Sequence, residues 1–294
     1  MRITGHHLLE RSAGYIGKAQ SDIATLSDQV SSGVAVRHAS DDPVAWIQAR
    51  REQVRQTLSQ GRGDAMGLGQ DQLAETERAL GTVGGVLSEA RQIAIQAANA
   101  NYVAGDRAKL ELQVRGLFSV ALAAANSRNE AGEYILGGAQ GNVTPFDAAG
   151  NFLGDAGRRS LEAGEGAQSL ATLSGQALTA SAPGGIDVLP TLTRLATALA
   201  ANDVPTIQQT IDELDAAHEQ VSEARSEVGS MMSVFKDADG FRVELEQSLA
   251  TRIAGLTEVD IIKAATDLAQ RTQALDAAQA VNGRLATLLS PRNR

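Results

Sequence analysis

Four histidines, His6, His7, His38 and His218, are the side chains best suited to acid–base or metal chemistry in this chain of 294 residues. None has a second histidine four residues away, which is the spacing of a helical zinc ligand pair. The chain has no cysteine, so disulfides, zinc thiolates and a cysteine nucleophile are excluded. Phosphate-loop, dinucleotide-binding and nucleophile-elbow motifs are also missing. We therefore predict no catalytic, cofactor-binding or metal-binding residues, and we expect that the protein is not an enzyme.

Two adjacent carboxylates, Asp41 and Asp42, could together bind a cation. Pro43 follows them directly. Proline is favoured at the first position of a helix, and aspartate is favoured just before it, where its carboxylate accepts hydrogen bonds from free backbone N–H groups. We interpret Asp42 and Pro43 as a helix cap rather than as half of a metal site.

Both ends of the chain carry apolar residues with a period of seven, which predicts helices that need another helix as a partner. The first helix is predicted to stop at residues 31–33, which read Ser-Ser-Gly. The two terminal helices are expected to meet, within one molecule or between molecules. The predicted assembly seam consists of Leu9, Ile16, Ile23, Leu26 and Val30 at one end, and Ile261, Leu268, Leu275 and Leu289 at the other.

Longer helices are predicted between the ends. A helical pattern starting at Pro43 runs to about residue 99, but four glycines at 61–69 leave open whether it breaks there. A third helix is predicted from Asp106, as its N-cap, to about Asn129. Helix resumes near residue 189, and a heptad helix that starts near Pro205 is expected to break at Gly255. Thr257 and Asp260 are then predicted to cap the terminal helix as a variant capping box.

Residues 133–187 differ from the rest because glycines and short apolar runs replace the heptads. Alternation and turn residues predict a strand at 134–136, a hairpin at 146–153, and weaker strands at 160–164 and 176–180. We predict a mainly α fold: a long antiparallel helical bundle, or coiled coil, built from both chain ends, with a small β-rich inserted domain. The predicted domains are a terminal coiled-coil assembly core (1–40 and 256–294), a helical bundle (41–132 and 188–255) and the insert (133–187).

Composition narrows the classes of partner. The net charge is −9, which disfavours binding to nucleic acid and to anionic membranes. No apolar run is long enough to span a bilayer, and the first residues lack the apolar core of a cleavable signal peptide. These features predict a cytoplasmic protein, or one exported by a route that needs no such signal.

The order of these features resembles the flagellin superfamily and, within it, the hook-associated proteins of the hook–filament junction (FlgL type). The resemblance covers essentially the whole chain. It rests on SDDPV at 40–44, AIQAAN at 94–99, GEYILGG at 132–138, PF at 145–146, GD at 154–155, and 264–275, which ends in QAL. Pro43 after the acidic pair is typical of junction proteins, whereas flagellins usually continue with Ala-Ala.

This resemblance implies an extracellular structural protein of the bacterial flagellum, an adaptor between hook-associated proteins and the flagellin filament. It implies self-assembly into a ring, contacts with a hook-side junction protein and with flagellin, and a cytoplasmic export chaperone that binds the C-terminal part. It also implies type III export without a cleaved signal. Two alternatives remain: flagellin itself, and a soluble helical scaffold or regulator unrelated to flagella.

Overall fold

Six helices account for most of the protein in a computed structural model that describes residues 3–164 and 166–289. The mainly α fold class is confirmed. The helices are α1 (Ile3–Ser32), α2 (Pro43–Ala98), α3 (Ala104–Ala125), α4 (Val188–Ala201), α5 (Val204–Thr257) and α6 (Ile261–Leu289). A two-stranded antiparallel sheet of β1 (Ser160–Gly164) and β2 (Ala167–Leu170) lies between α3 and α4 in sequence.

The chain forms two compact units. The described residues of 1–58 and 245–294 form the terminal unit, and residues 59–244 form the central unit. α2 and α5 each contribute a segment to both units. The division into three domains stays a prediction. In the part of the chain that the structure describes, no helix is both long and apolar enough to cross a membrane.

The heptads of α2 and α5 build the core of the central unit. Side chains at seven-residue intervals are 0–1% exposed, and they are Leu73, Leu80 and Leu87 on α2 and Leu214, Val221, Val228 and Phe235 on α5. At the surface, Arg225 of α5 donates two hydrogen bonds of 2.5 and 2.8 Å to Glu77 of α2. Repeated burial of seven-spaced side chains is the packing that a 3.5-residue period requires.

The glycines at 61–69 do not break α2, which is a continuous helix. A Cβ atom at Gly69 would lie 2.9 Å from the Leu161 side chain and 3.4 Å from the Phe235 ring. Gly69 therefore allows both the insert and α5 to approach the α2 backbone closely, and this packing offsets the roughly 1 kcal/mol that glycine costs within a helix.

Helix α3 begins and ends earlier than its sequence pattern predicts. Its N-cap is Val103, which makes no side-chain cap, so Asp106 lies in the first turn and not at the N-cap. The predicted end at Asn129 is also wrong, because the helix stops at Ala125. Asn126 instead exchanges two hydrogen bonds of 2.9 Å with the backbone of Phe146 in the insert. That long-range pairing competes with continuation of the helix.

The insert contains less strand than predicted. The strand at 160–164 is confirmed as β1, while residues 134–136 form turns with one isolated bridge, and residues 176–180 begin as a 3-10 helix. The predicted hairpin at 146–153 consists of a single bridge between Phe146 and Phe152 around a turn. Side-chain hydrogen bonds to the backbone, which no alternation pattern reveals, replace strand pairing in these segments.

Bonds of this kind to Asp155 join two motifs of the insert. Asp155 accepts hydrogen bonds from the backbone N–H groups of Ala139 (3.0 Å), Gln140 (3.1 Å) and Gly157 (2.6 Å). Gly138 has φ +79°, and a Cβ there would lie 2.3 Å from the Asp155 carbonyl oxygen. The glycine pair at 137–138 and the Gly-Asp pair at 154–155 therefore form one folded structure.

The junction of α5 and α6 also differs from its prediction. Gly255 does not break α5, which continues to Thr257. The Thr257 hydroxyl bonds back to the Ile253 carbonyl within its own helix, at 2.8 Å, so it does not cap α6. Asp260 precedes α6 and accepts a hydrogen bond of 3.1 Å from the Lys263 N–H. A single aspartate therefore does the work expected of a capping box.

Candidate assembly surfaces

Helices α1 and α6 pack against each other within one molecule. Arg271 of α6 donates a hydrogen bond of 2.8 Å to Asp22 of α1 across the pair. This pairing places the two predicted halves of the seam in one structure, as one of the two expected arrangements requires.

The predicted seam residues differ in burial. Ile16, Ile23, Leu26, Val30, Leu268 and Leu275 are half-buried. Ile261 is 56% exposed, so it lies outside the protected part of the seam. The side chains of Leu9 and Leu289 lie outside the described residues.

Small and polar residues at other heptad positions of α1 and α6 are also buried or half-buried. Ala264 is 5% exposed and is the one fully buried α6 side chain among those described. Ser12, Ala19 and Asn282 are half-buried, and Asn282 Oδ1 has no hydrogen-bond partner among the described residues. Heptad spacing already marks Ser12, Ala19 and Asn282 in the sequence, although the list of large apolar seam residues leaves them out.

Backbone hydrogen bonds fix the start of this helix pair. The N–H of Ala35, after α1, donates to the Thr257 carbonyl at 2.7 Å. The N–H of Val259, before α6, donates to the Gly33 carbonyl at 3.0 Å. These bonds form a short antiparallel bridge at Val34 and Glu258. The connections that follow α1 and precede α6 are therefore paired, which sets the register from which the seam starts.

The acidic pair at 41–42 is engaged in backbone hydrogen bonds. Asp41 accepts bonds from the N–H groups of Arg37 (3.0 Å) and His38 (2.9 Å). The bond from His38 is the largest cause that lowers the pKa of Asp41, followed by that from Arg37. Asp42 precedes Pro43, the first residue of α2, and accepts bonds from Val44 (2.9 Å) and Ala45 (3.0 Å). This is the geometry of an N-cap.

In the terminal unit, apolar residues are exposed on α2 and beside the α1–α6 contact. On α2 an exposed face includes Val44, Ile47, Val54 and Leu58, with side chains 47–65% exposed. Beside the α1–α6 contact lies a groove of about 570 Å³, whose lining includes Tyr15 (67% exposed) and Val281 (58% exposed). Contiguous exposed apolar surface of this kind marks protein contact sites. Across the described ranges, no three His, Cys, Asp or Glu side chains cluster as metal ligands would.

Comparison with known proteins gives the class. Residues 11–141 match the family described as the bacterial flagellin N-terminal helical region. Flagellar hook-associated protein 3 of Salmonella typhimurium is 25% identical over 284 residues, covering 88% of this chain and 89% of that protein. A flagellar hook-associated protein structure from Vibrio parahaemolyticus is 18% identical, with a TM-score of 0.68, over 74% of this chain and 99% of that one. The FlgL structure of Bacillus cereus has a TM-score of 0.57 at 20% identity and covers 68% of this chain and 99% of its own.

Residues 11–141 therefore match the flagellin N-terminal helical region, and these similarities support a structural component of the bacterial flagellum. Over 88% of its length the chain is similar to a flagellar hook-associated protein, the FlgL type. The resemblance found in the sequence motifs is confirmed, and the hook-associated interpretation is favoured over flagellin and over a non-flagellar scaffold.

Proposed function

We propose that this protein is an adaptor that forms a ring between the hook-side junction protein and the flagellin filament, and that it assembles through α1 and α6. The observation that carries the proposal is the half-buried seam: large side chains with heptad spacing lie on the paired helices α1 and α6 and remain partly open to solvent. Seam residues of this kind are fully enclosed when further helices pack against them.

The assembly seam in this proposal comprises the nine apolar residues predicted from the sequence, with Ala264 added. Residues 1–40 and 256–294 act as the assembly core, 41–132 and 188–255 as the bundle, and 133–187 as the insert. The role is structural, without catalysis. The protein leaves the cell through the flagellar type III apparatus, without a cleaved signal, after a cytoplasmic chaperone has bound its C-terminal part.

The test is incorporation of the full-length protein onto purified hook particles that end in the hook-side junction protein, measured by co-sedimentation. Wild-type protein should sediment with the particles and should then allow added flagellin to polymerise. Ile23→Asp should abolish sedimentation because a carboxylate in a helix–helix seam has to be desolvated without a partner. The matched control, Ala24→Asp, places the same charge on an exposed neighbour and should sediment normally.

Wild-type protein that stays in the supernatant would refute the adaptor role and favour a scaffold or regulator. Equal sedimentation of the Ile23→Asp and Ala24→Asp variants would show that the seam does not carry assembly. In cells, deletion of residues 256–294 should release unassembled flagellin into the medium.

A further inference from the structure

A cleft between α2 and the insert, within the central unit, is not used by the seam mechanism. Its volume is about 430 Å³, and we call it the acidic cleft; residues that line it include Leu68, Asp71, Gln72, Glu75, Glu130 and Leu161. One side is apolar, because Leu161 and Ala171 line it and Leu68 beside them is 73% exposed. A leucine this exposed at the edge of a cleft is available to a binding partner.

The amide of Gln72 provides a hydrogen-bond donor that has no acceptor. The N–H of Glu133 donates to Asn129 Oδ1 at 2.9 Å, so Asn129 must present its Nδ2 group to Gln72 Oε1, 2.6 Å away. That orientation leaves Gln72 Nε2 as the free end, and it has no partner among the described residues although Gln72 is only 9% exposed. A buried donor without an acceptor is costly, which indicates that a partner supplies one.

The same cleft carries an excess of negative charge. Four carboxylates line it, those of Asp71, Glu75, Glu130 and Glu133, against the two guanidinium groups of Arg78 and Arg159, which leaves two negative charges. Glu133 is paired with Arg159 at 2.7 Å. Glu75 Oε1 lies 4.0 Å from Arg78, and Glu75 Oε2 is buried without a hydrogen-bond partner. The available site therefore suits an incoming cation with an aliphatic stem.

A surface of the opposite charge lies in the terminal unit, where α2 and α5 contribute to a second open cleft. We call it the arginine patch, and residues that line it include Gln48, Arg51, Glu52, Arg55, Arg252 and Leu256. Three guanidinium groups against one carboxylate leave two positive charges. Arg51 and Arg252 form no ion pair in the described part of the chain, and Arg55 has only the exposed contact of 3.5 Å with Glu52. The charges of the two surfaces are equal and opposite.

Arg51 also belongs to the exposed apolar face of α2. It follows Ile47 by four residues and precedes Leu58 by seven, so all three lie on one side of the helix. Ile47 and Leu58 are 47% and 59% exposed. An arginine within an exposed apolar face is typical of the energetically dominant centre of a protein interface. Gln48, next to it, has the amide oxygen that Gln72 Nε2 lacks as an acceptor.

We infer that the acidic cleft of one subunit binds the arginine patch of a second copy of this chain. Because the two surfaces differ, the contact is heterologous and propagates head to tail, which closes into a ring when the rotation between subunits permits. The inference rests on the proposed self-assembly and assigns it a second contact, separate from the α1–α6 seam. Arginine stems pack on Leu68 and Leu161, and a guanidinium group pairs with Glu75.

Sedimentation equilibrium of the full chain at low salt tests this contact. Wild-type protein should self-associate, and high salt should weaken the association because the charges are screened. Glu75→Arg and Arg51→Glu should each reduce the association constant by about tenfold or more. Mixing the two variants should restore a single interface, between the intact cleft of one and the intact patch of the other. The mixture should therefore form dimers and stop there.

Matched variants separate charge from folding. Asp71→Arg changes an exposed cleft residue and should act like Glu75→Arg. Asp64→Arg on α2 and Lys236→Glu on α5 make the same charge changes at exposed positions outside both surfaces and should associate like wild type. All variants should keep the wild-type circular dichroism spectrum and melting temperature.

Three results would overturn the inference: wild-type protein that stays monomeric up to millimolar concentration, single variants that associate like wild type, or a mixture that gains no dimer. Binding to hook particles distinguishes this failure from failure of the adaptor proposal. If charge variants leave both incorporation and self-association unchanged, the cleft contact is wrong and the adaptor role stands. If self-association responds as expected while wild type never binds hook particles, the adaptor role is wrong.

Discussion

Arg107 should be among the most important single side chains for the stability of the central unit. It is 4% exposed and has no carboxylate among its hydrogen-bond partners. Its guanidinium group donates to the carbonyls of Ala97 (2.8 Å) and Asn99 (3.1 Å), and to Asn202 Oδ1 (2.7 Å). The arginine thus satisfies the C-terminal end of α2, where carbonyls lack helical partners and the helix dipole is negative.

The size of the effect follows from these contacts. Arg107→Met keeps most of the aliphatic stem but leaves buried acceptors unpaired, at about 1–3 kcal/mol each. The variant also avoids the desolvation of a buried charge, which offsets part of that loss. We expect a net destabilisation of about 2–4 kcal/mol for Arg107→Met. Arg107→Ala should lose somewhat more because it also leaves a cavity.

Urea unfolding followed by circular dichroism measures this loss. Because the chain has two units, the transition that contains α3 and α4 should be identified by hydrogen exchange before free energies are compared. Arg115→Ala is the control on the same helix, since that side chain is exposed and pairs only with Glu111 one turn away. It should cost less than about 1 kcal/mol.

A double-mutant cycle sharpens the test. Asn202 is left-handed, with φ 54°, so Asn202→Gly removes its side chain without backbone strain. The coupling energy between Arg107→Met and Asn202→Gly should be about 0.5–3 kcal/mol. If Arg107→Met is as stable as wild type, the cost of desolvating the guanidinium charge equals or exceeds the free energy that its hydrogen bonds contribute. Arg107 would then not stabilise the central unit.

Three further predictions concern single side chains. Asp42→Ala should destabilise the start of α2 by about 0.5–2 kcal/mol, seen as faster amide exchange in residues 43–50; unchanged exchange there would exclude a capping role. Hydrogen bonds from the backbone N–H groups of Ala139, Gly157 and Gln140 lower the pKa of the Asp155 carboxyl below 3.8. The ionised carboxylate should therefore contribute fully to the stability of the folded insert above that pH. This contribution should be lost as the pH falls through the lower pKa of the folded state. Amide protection at residues 139–140 should therefore depend on pH in acid for the wild-type protein but not for Asp155→Asn. An acid dependence that persists in Asp155→Asn would contradict this prediction. Asn282→Leu should raise the stability of the α1–α6 pair by removing an unpaired buried amide oxygen; a lower melting temperature would show that the amide has a partner.

Helix existence and the core of the central unit could be predicted from sequence because both depend on local periodicity. Leu73, Leu80 and Leu87 repeat every seven residues, and all three are fully buried. The turn at Asp42 and Pro43 was also readable, since cap chemistry involves only neighbouring residues. The continuity of α2 through the glycines could not be decided, because it depends on Leu161 and Phe235, which are distant in sequence.

The insert and the ends of α3 were predicted less well for the same reason. Asn126 stops α3 by bonding to Phe146, twenty residues away. Gly138 and Asp155 form one turn structure although seventeen residues separate them. Such pairings have no period, so a window of sequence contains only half of each. The acidic cleft could not be predicted from the sequence either. Its unpaired amide nitrogen on Gln72 results from the hydrogen bond with Asn129, which is distant in sequence.

Heptads of equal regularity lead to different burial in the two units, and this difference bears on assembly. In the central unit the seven-spaced residues are 0–1% exposed, so that unit completes its own core. In the terminal unit, seam residues such as Ile23 and Leu268 are only half-buried, and half-buried Ala19 and Asn282 thin the seam further. A heptad specifies that a seam needs covering but not which chain covers it. In the proposed assembly, folding of one subunit therefore depends on residues 59–244, and neighbouring subunits cover the seam at the chain ends.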